Sequence, residues 1–249
     1  DFMADVKNDS IRGGKGGAIY LEETSMIFNH CQFLNNSAEF GGAIAITEAN
    51  LSINNCVFEN NNAIYGGAIF CREKSTNYSS NSLAWIMINN TNAINNKSTK
   101  SGGFYHSAWD NVNRSTVTIK NSNFSKNIAG EDGGVFVIGE HFIEKFIVIN
   151  SKFIENTSEK KGGVFLRGGG NYYPDFLIKN SLFKANKASN GGVFYLSADP
   201  NMANKNIENE VDSSSFILNE SEQNSIGAFI FSNRYGGSDK FNSIVFSNS

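Results

Sequence analysis

At 249 residues with 40% hydrophobic side chains the chain is long enough to bury a sizeable core, and its net charge of -3 excludes the basic footprint of counterion-release binding to nucleic acid. Two prolines against 24 glycines point to many tight turns between short strands and exclude a mainly helical chain. No apolar run approaches the roughly 18–20 residues of a membrane-spanning helix, and three cysteines without metal-ligand spacing make neither a disulfide framework nor a zinc site.

The first predicted element follows a Gly pair at Gly16-Gly17 and reads GGAIYL. The same word returns down the chain as GGAIAI, GGAIFC, GGFYHS, GGVFVI, GGVFLR and GGVFYL, with a degenerate eighth copy, IGAFIF, at Ile226-Gly227. Between these units runs a second motif, F-x-x-N, at Phe33/Asn36, Phe58/Asn61, Phe124/Asn127, Phe153/Asn156, Phe183/Asn186 and Phe216/Asn219, with Ala93/Asn96 as a variant and Phe246 opening a last partial copy. A fixed period of this kind marks a repeat architecture and leaves no room for a second domain, so residues 1–249 are expected to form one unit. The step from the Phe to the next Gly pair stays at 8 to 10 residues, whereas the step from Gly pair to Phe ranges from 17 to 27. One side of each repeat is therefore fixed geometry, and the other carries connections of free length.

The columns before the Phe are as regular. Five residues back the chain is apolar (Phe28, Ile53, Ile88, Ile119, Val148, Ile178). Three back it is mostly Asn (Asn55, Asn90, Asn121, Asn150, Asn180), with His30 and Ser213 as exceptions. Two back it is small (Cys31, Cys56, Thr91, Ser122, Ser151, Ser181, Ser214). The inward phase slips between the apolar and the small position, which places a bend at the Asn, the non-Gly residue best suited to a left-handed conformation. A strand, a variable connection, a second strand, an Asn bend, a third strand and a fixed turn make one rung of an all-β parallel solenoid, about eight rungs of three short strands each, stacked at roughly 4.8 Å. Asn over Asn then allows side-chain amides to hydrogen-bond along the axis, as in other stacked sheets.

The alternating GGA[ILV] and F-x-x-N units resemble the repeats of the chlamydial polymorphic outer membrane proteins and similar Pmp-like surface proteins. The resemblance spans Gly16 to Phe246 and implies a right-handed single-stranded parallel β-helix, extracellular or on the cell surface, with an adhesive or structural role. The Asn bend is also similar to that of pectate-lyase-type solenoids.

Chemistry-bearing residues do not converge in this register. A sugar-cleaving β-helix needs carboxylates on one face of adjacent rungs. Glu22-Glu23 meets only Glu48 in the next unit, and Glu131-Asp132 falls in the fixed turn where other units carry Phe40, Tyr65 or Lys161. His30, His106 and His141 lie in three different registers. No catalytic residue, metal or cofactor is expected, and the alternative function is a polysaccharide lyase or hydrolase. Cys31 and Cys56 share a column one rung apart, close enough for a disulfide.

Two surfaces remain. Alternation in the Gly-Gly strand turns Tyr20, Ala45, Phe70, His106, Val137, Leu166, Tyr195 and Ile230 outward, flanked by small residues such as Ala18, Val135 and Val164. This apolar column (Tyr20, Phe70, Val137, Leu166, Tyr195 and Ile230 above all) is expected either to be covered by residues 71–83 and 197–212 or to meet a partner, through lateral self-association or a ligand on a host or cell surface. Ten N-x-[ST] sequons stand against about five or six expected by chance, which points to covalent N-glycans. Those at Asn96, Asn156 and Asn219 are ladder positions of F-x-x-N; those at Asn50, Asn77, Asn113 and Asn123, and further Asn8, Asn35 and Asn89, are the candidates for modification. Neither end shows a polar cap, so the chain is expected to belong to a longer protein or to stack end to end with copies of itself.

Overall fold

The computed structural model describes residues 14–47, 50–72, 85–108, 115–138, 143–167, 175–196, 210–222, 229–231 and 244–247. Its secondary structure is entirely β, arranged in four sheets in which every pairing is parallel. The Gly-Gly sheet stacks eight strands: Ile19–Glu22, Ile44–Thr47, Ile69–Arg72, Tyr105–Ala108, Phe136–Ile138, Phe165–Arg167, Phe194–Leu196 and Phe229–Phe231. A second sheet of seven runs from Met26–Asn29 to Glu210–Asp212, and a Phe sheet of eight runs from Gln32–Leu34 to Ile244–Ser247. Seven rungs and part of an eighth are thus described. Their register is the one the motifs align: Phe33 pairs with Phe58, Phe58 with Ala93, Ala93 with Phe124 and Phe124 with Phe153.

Six of the rungs hold one strand more than the three expected from the sequence. Asn62–Tyr65, Lys97–Ser101, Ile128–Ala129, Thr157–Ser158, Lys187–Ala188 and Glu220–Ser221 form a fourth sheet inside what reads as a fixed turn. These strands are too short to show an alternation. Their signature is one small buried residue per rung: Ala63, Ser98, Ala129, Ser158 and Ala188.

Three corners per rung are left-handed. The Asn bend is one, at Asn55, Asn90, Asn121, Asn150 and Asn180, and the exceptions His30 and Ser213 adopt it too, all at φ between 48° and 56°. The first glycine of each pair is another, with φ of 62° to 71°. The third, between the Phe strand and the fourth strand, carries Asn35, Asn60, Asn95, Lys126, Glu155, Ala185 and Leu218 at φ of 53° to 57°. No residue preference announces that corner, because the residue after it imposes it.

That residue is the Asn of F-x-x-N. Asn61, Asn96, Asn127, Asn156 and Asn186 are fully buried and form a continuous ladder. Asn96 is representative: its Nδ2 donates to Asn127 Oδ1 at 3.0 Å and to Phe58 O at 3.0 Å, while its Oδ1 accepts from both Asn61 N (3.1 Å) and Asn61 Nδ2 (2.9 Å). The whole carboxamide is satisfied, which offsets the cost of burying it and of a left-handed corner beside it. A second ladder explains the small column. Thr91 N donates to Ser122 Oγ (3.1 Å), Ser122 N to Ser151 Oγ (3.3 Å), Ser151 N to Ser181 Oγ (3.2 Å) and Ser181 N to Ser214 Oγ (3.1 Å). Each hydroxyl in turn donates to the carbonyl two residues back, as Ser122 does to Lys120 O at 2.7 Å.

Apolar columns fill the interior. Phe33 stacks on Phe58 at 4.6 Å, Phe124 on Phe153 at 5.1 Å and Phe153 on Phe183 at 4.8 Å. The column breaks at Ala93, and Phe104 fills the gap from the next rung with edge contacts to Phe58 (5.5 Å) and Phe124 (5.2 Å). Phe104 belongs to the column after the Gly pair, which alternation along the strand turns outward. In the structure Ala43, Val135, Val164 and Val193 are core, although Ala18 in the first rung is exposed. The reason is the corner: the strands begin only at the next residue, Ile44, Phe136, Phe165 and Phe194, so this position lies in the bend before them, where period-two alternation does not apply.

Candidate functional site

The outward column of the Gly-Gly sheet is the first surface to place. It is not an open face: Ala45, Phe70, His106, Val137 and Leu166 are buried, Tyr20 and Tyr195 are half-buried, and the side chain of Ile230 lies outside the described residues. Part of the cover comes from residues directly before the Gly pairs. Phe40 packs on Phe70 at 4.9 Å and on Tyr65 at 5.6 Å, and Tyr65 packs on His106 at 5.3 Å, while the Phe70 and His106 rings lie parallel at 5.7 Å. Lysine ammoniums stand over the rings at the margins of this seam: Lys15 over Tyr20 (5.0 Å), Lys100 over Tyr65 (5.4 Å) and Lys161 over Tyr195 (4.8 Å). The sequence carries a signal for this cover, since Phe40 and Tyr65 are large aromatics where other units carry Lys, Ser, Asp or Asn. Residues 73–84 and 197–209, most of the segments expected to cover the column, lie outside the described residues.

Among the described residues of this column, His106 is a buried imidazole. Burial lowers its pKa from 6.5 to about 4, so the imidazole is neutral at physiological pH, and its Nδ1 is buried without a hydrogen-bond partner. His30 is exposed at its bend, and His141 lies outside the described residues. The two described histidines stand apart, His30 at the bend after Met26–Asn29 and His106 in the Gly-Gly sheet.

Four of the described carboxylates are engaged between rungs. Glu131 pairs with Lys160 (3.5 Å), Glu155 with Lys126 (3.9 Å), Glu210 with Lys179 (2.9 Å) and Glu220 with Lys187 (3.4 Å), each joining one rung to the next. Asp132 is half-buried, its pKa raised by that burial against the pull of Lys161 and Lys160. Glu22 and Glu23 are exposed, and Glu48 lies outside the described residues. No group of three or more His, Cys, Asp or Glu residues arranged for a metal ion occurs among the described residues.

Cys31 and Cys56 stand in adjacent rungs as the register requires, and both are free thiols in the structure. They begin the hydroxyl ladder: Cys31 N donates to Cys56 Sγ at 3.4 Å, and Cys56 Sγ donates to Asn54 O at 3.2 Å. Burial raises the pKa of Cys56, with the backbone N–H of Cys31 opposing it.

Sequon asparagines divide by register. Asn96 and Asn156 are fully buried with both Nδ2 protons donated, Asn156 to Phe124 O and Asn186 Oδ1 at 2.9 Å each, so a sugar there is incompatible with the folded ladder. Asn219 is half-buried, with Nδ2 donating to Phe183 O at 2.9 Å. Asn35 is exposed; Asn50, Asn89 and Asn123 are half-buried; Asn8, Asn77 and Asn113 lie outside the described residues. A surface that sequence reasoning misses is the outer face of the second sheet, where Ile27, Met87 and Trp85 are exposed. Trp85 opens the strand Trp85–Asn89, whereas Tyr78, Trp109, Tyr172, Tyr173 and Tyr235, which the sequence sets between the repeated motifs, lie outside the described residues.

Residues 55–72, which hold Phe58, Asn61 and the Gly66-Gly67 pair, match the Chlamydia polymorphic membrane protein repeat. The other units carry the same motifs in the same register, so the resemblance read from them rests on both sequence and stack. No curated protein and no solved structure matches the chain. No helix among the described residues is long and apolar enough to cross a membrane.

Proposed function

We propose that the chain is a non-enzymatic β-solenoid displayed outside the cell, a stalk or fibre element that presents or binds a surface and carries N-glycans on its exposed sequons. The observation that carries this reading is where the polar residues go: buried amides form the ladder, and four carboxylates, Glu131, Glu155, Glu210 and Glu220, pair with lysines one rung away. These positions hold rungs together rather than converging on one bond. The match to a membrane protein repeat supports a surface location. Extension of the stack by further copies, or by more of a longer protein, belongs to the same proposal.

Purified chain applied to intact cells and to a panel of acidic and neutral polysaccharides tests it. The expected result is saturable binding or assembly with no release of reducing or unsaturated ends. Turnover that Glu131→Gln abolishes would overturn the proposal in favour of a carbohydrate-cleaving enzyme.

A further inference from the structure

Asn50 and Trp85 stand in one outward column on adjacent rungs. The register pairs Leu51 with Ile86 and Ile53 with Ile88, which sets Trp85 directly over Asn50 at one inter-strand spacing, about 4.8 Å. Leu51 and Ile86 point into the core, so Asn50 and Trp85 beside them point out. The Trp85 backbone N–H donates to Asn50 Oδ1 at 2.8 Å, which holds the carboxamide by its oxygen. The Trp85 side chain is 37% exposed. Asn50 heads the sequon Asn50-Leu51-Ser52.

We infer that Asn50 is an N-glycan acceptor whose first sugar packs on the Trp85 indole; this rests on the proposal that the chain is exported through a glycosylating route. In the transfer, Asn50 Nδ2 loses one proton and bonds to the anomeric carbon of a lipid-pyrophosphate-linked oligosaccharide, and the lipid pyrophosphate leaves with the former glycosidic electron pair. The product keeps one N–H, so Asn50 Oδ1 still accepts from Trp85. The apolar face of a pyranose then meets the ring, which stays wet at its edge. Other described sequons have no such platform. Asn89 has Asn54 and Lys120 as column neighbours and accepts Asn121 Nδ2 at 3.1 Å; Asn123 lies between Asn92 and Lys152.

The test is expression of the full chain in a glycosylating secretory host, followed by peptide mass spectrometry and thermal melts after trimming glycans to a single N-acetylglucosamine. The expected result is occupancy at Asn50 and a midpoint about 2–4 °C above that of Asn50→Gln, a difference that disappears in Trp85→Ala and in Trp85→Thr. Thr is the residue that follows Trp85 in this column, at Thr116, so this second variant keeps a native column residue if the alanine variant fails to fold. Occupancy at Asn35 or Asn123 without Asn50, or a glycan shift that survives both Trp85 substitutions, overturns the inference alone. An exported chain with no sequon occupied overturns the glycosylated reading with it.

Discussion

His106 is the one imidazole in an otherwise aromatic and aliphatic column, and folding keeps it uncharged. Its neighbours are Phe70 and Tyr65, with no hydrogen-bond partner for Nδ1. In the unfolded chain the imidazole takes up a proton near pH 6.5, whereas in the fold burial holds its pKa at about 4. Between these values the unfolded state binds more protons, so stability falls as pH drops from 6.5 toward 4, by roughly 3 kcal/mol in total for a shift of this size. His106→Phe, which restores the aromatic character of the seam, removes that part of the acid loss. Denaturant midpoints for both proteins from pH 7 to pH 4 check it. Parallel decline of wild type and variant would show that His106 does not govern the acid sensitivity.

Between elements, the compensation of Ala93 by Phe104 is the most specific packing in the core. Phe104→Val leaves a cavity beside Phe58 and Phe124 and is expected to cost about 2–4 kcal/mol. Ala93→Phe alone drives a second ring into the space Phe104 occupies, at about 1–3 kcal/mol or more. The double variant rebuilds the consensus of the other rungs, so its cost should fall below the sum by more than 1 kcal/mol in a double-mutant cycle. Strict additivity would mean that the two side chains do not share one site. The same pair marks the limit of what the sequence discloses. Columns of like residues that recur in unit after unit, with Asn at a bend, determine the stack, its register and the left-handed corner even at His30 and Ser213. The fourth strand and the corner from Asn35 to Leu218 stay hidden, because their residues vary while buried neighbours impose the geometry. The apolar outward column reads equally as a covered face or a partner surface, because alternation gives direction but not cover, and cover is tertiary. The sequons, by contrast, are already divided by the F-x-x-N register, and the ladder supplies the reason, since Asn96 and Asn156 donate both Nδ2 protons within it.

For the molecule as a whole, stability is a sum over neighbouring rungs, so a defect matters most where it interrupts something continuous. Asn127→Ala leaves Asn96 N and Nδ2 without their acceptor and Ala93 O without its donor, and removes one of the two bonds to Asn156 Oδ1. The expected cost is about 3–6 kcal/mol from buried groups left unsatisfied. Hydrogen exchange should quicken at Asn96 and Asn127 first, and the unfolding transition should broaden or split as the two halves uncouple. Lys126→Ala, one residue away on the surface, should change little. A loss below 1 kcal/mol at Asn127 would mean that the ladder adds nothing to the backbone sheets. The ladder also has a sense. At every link the amide nitrogen of the earlier rung gives and the oxygen of the later rung receives, from Asn36 to Asn219. The side-chain dipoles therefore add instead of cancelling, and the stack is a vector with two unlike poles. Any surface that continues it must present donors to the one and acceptors to the other, which permits growth in a single polarity and forbids a symmetric, face-to-face union through this column.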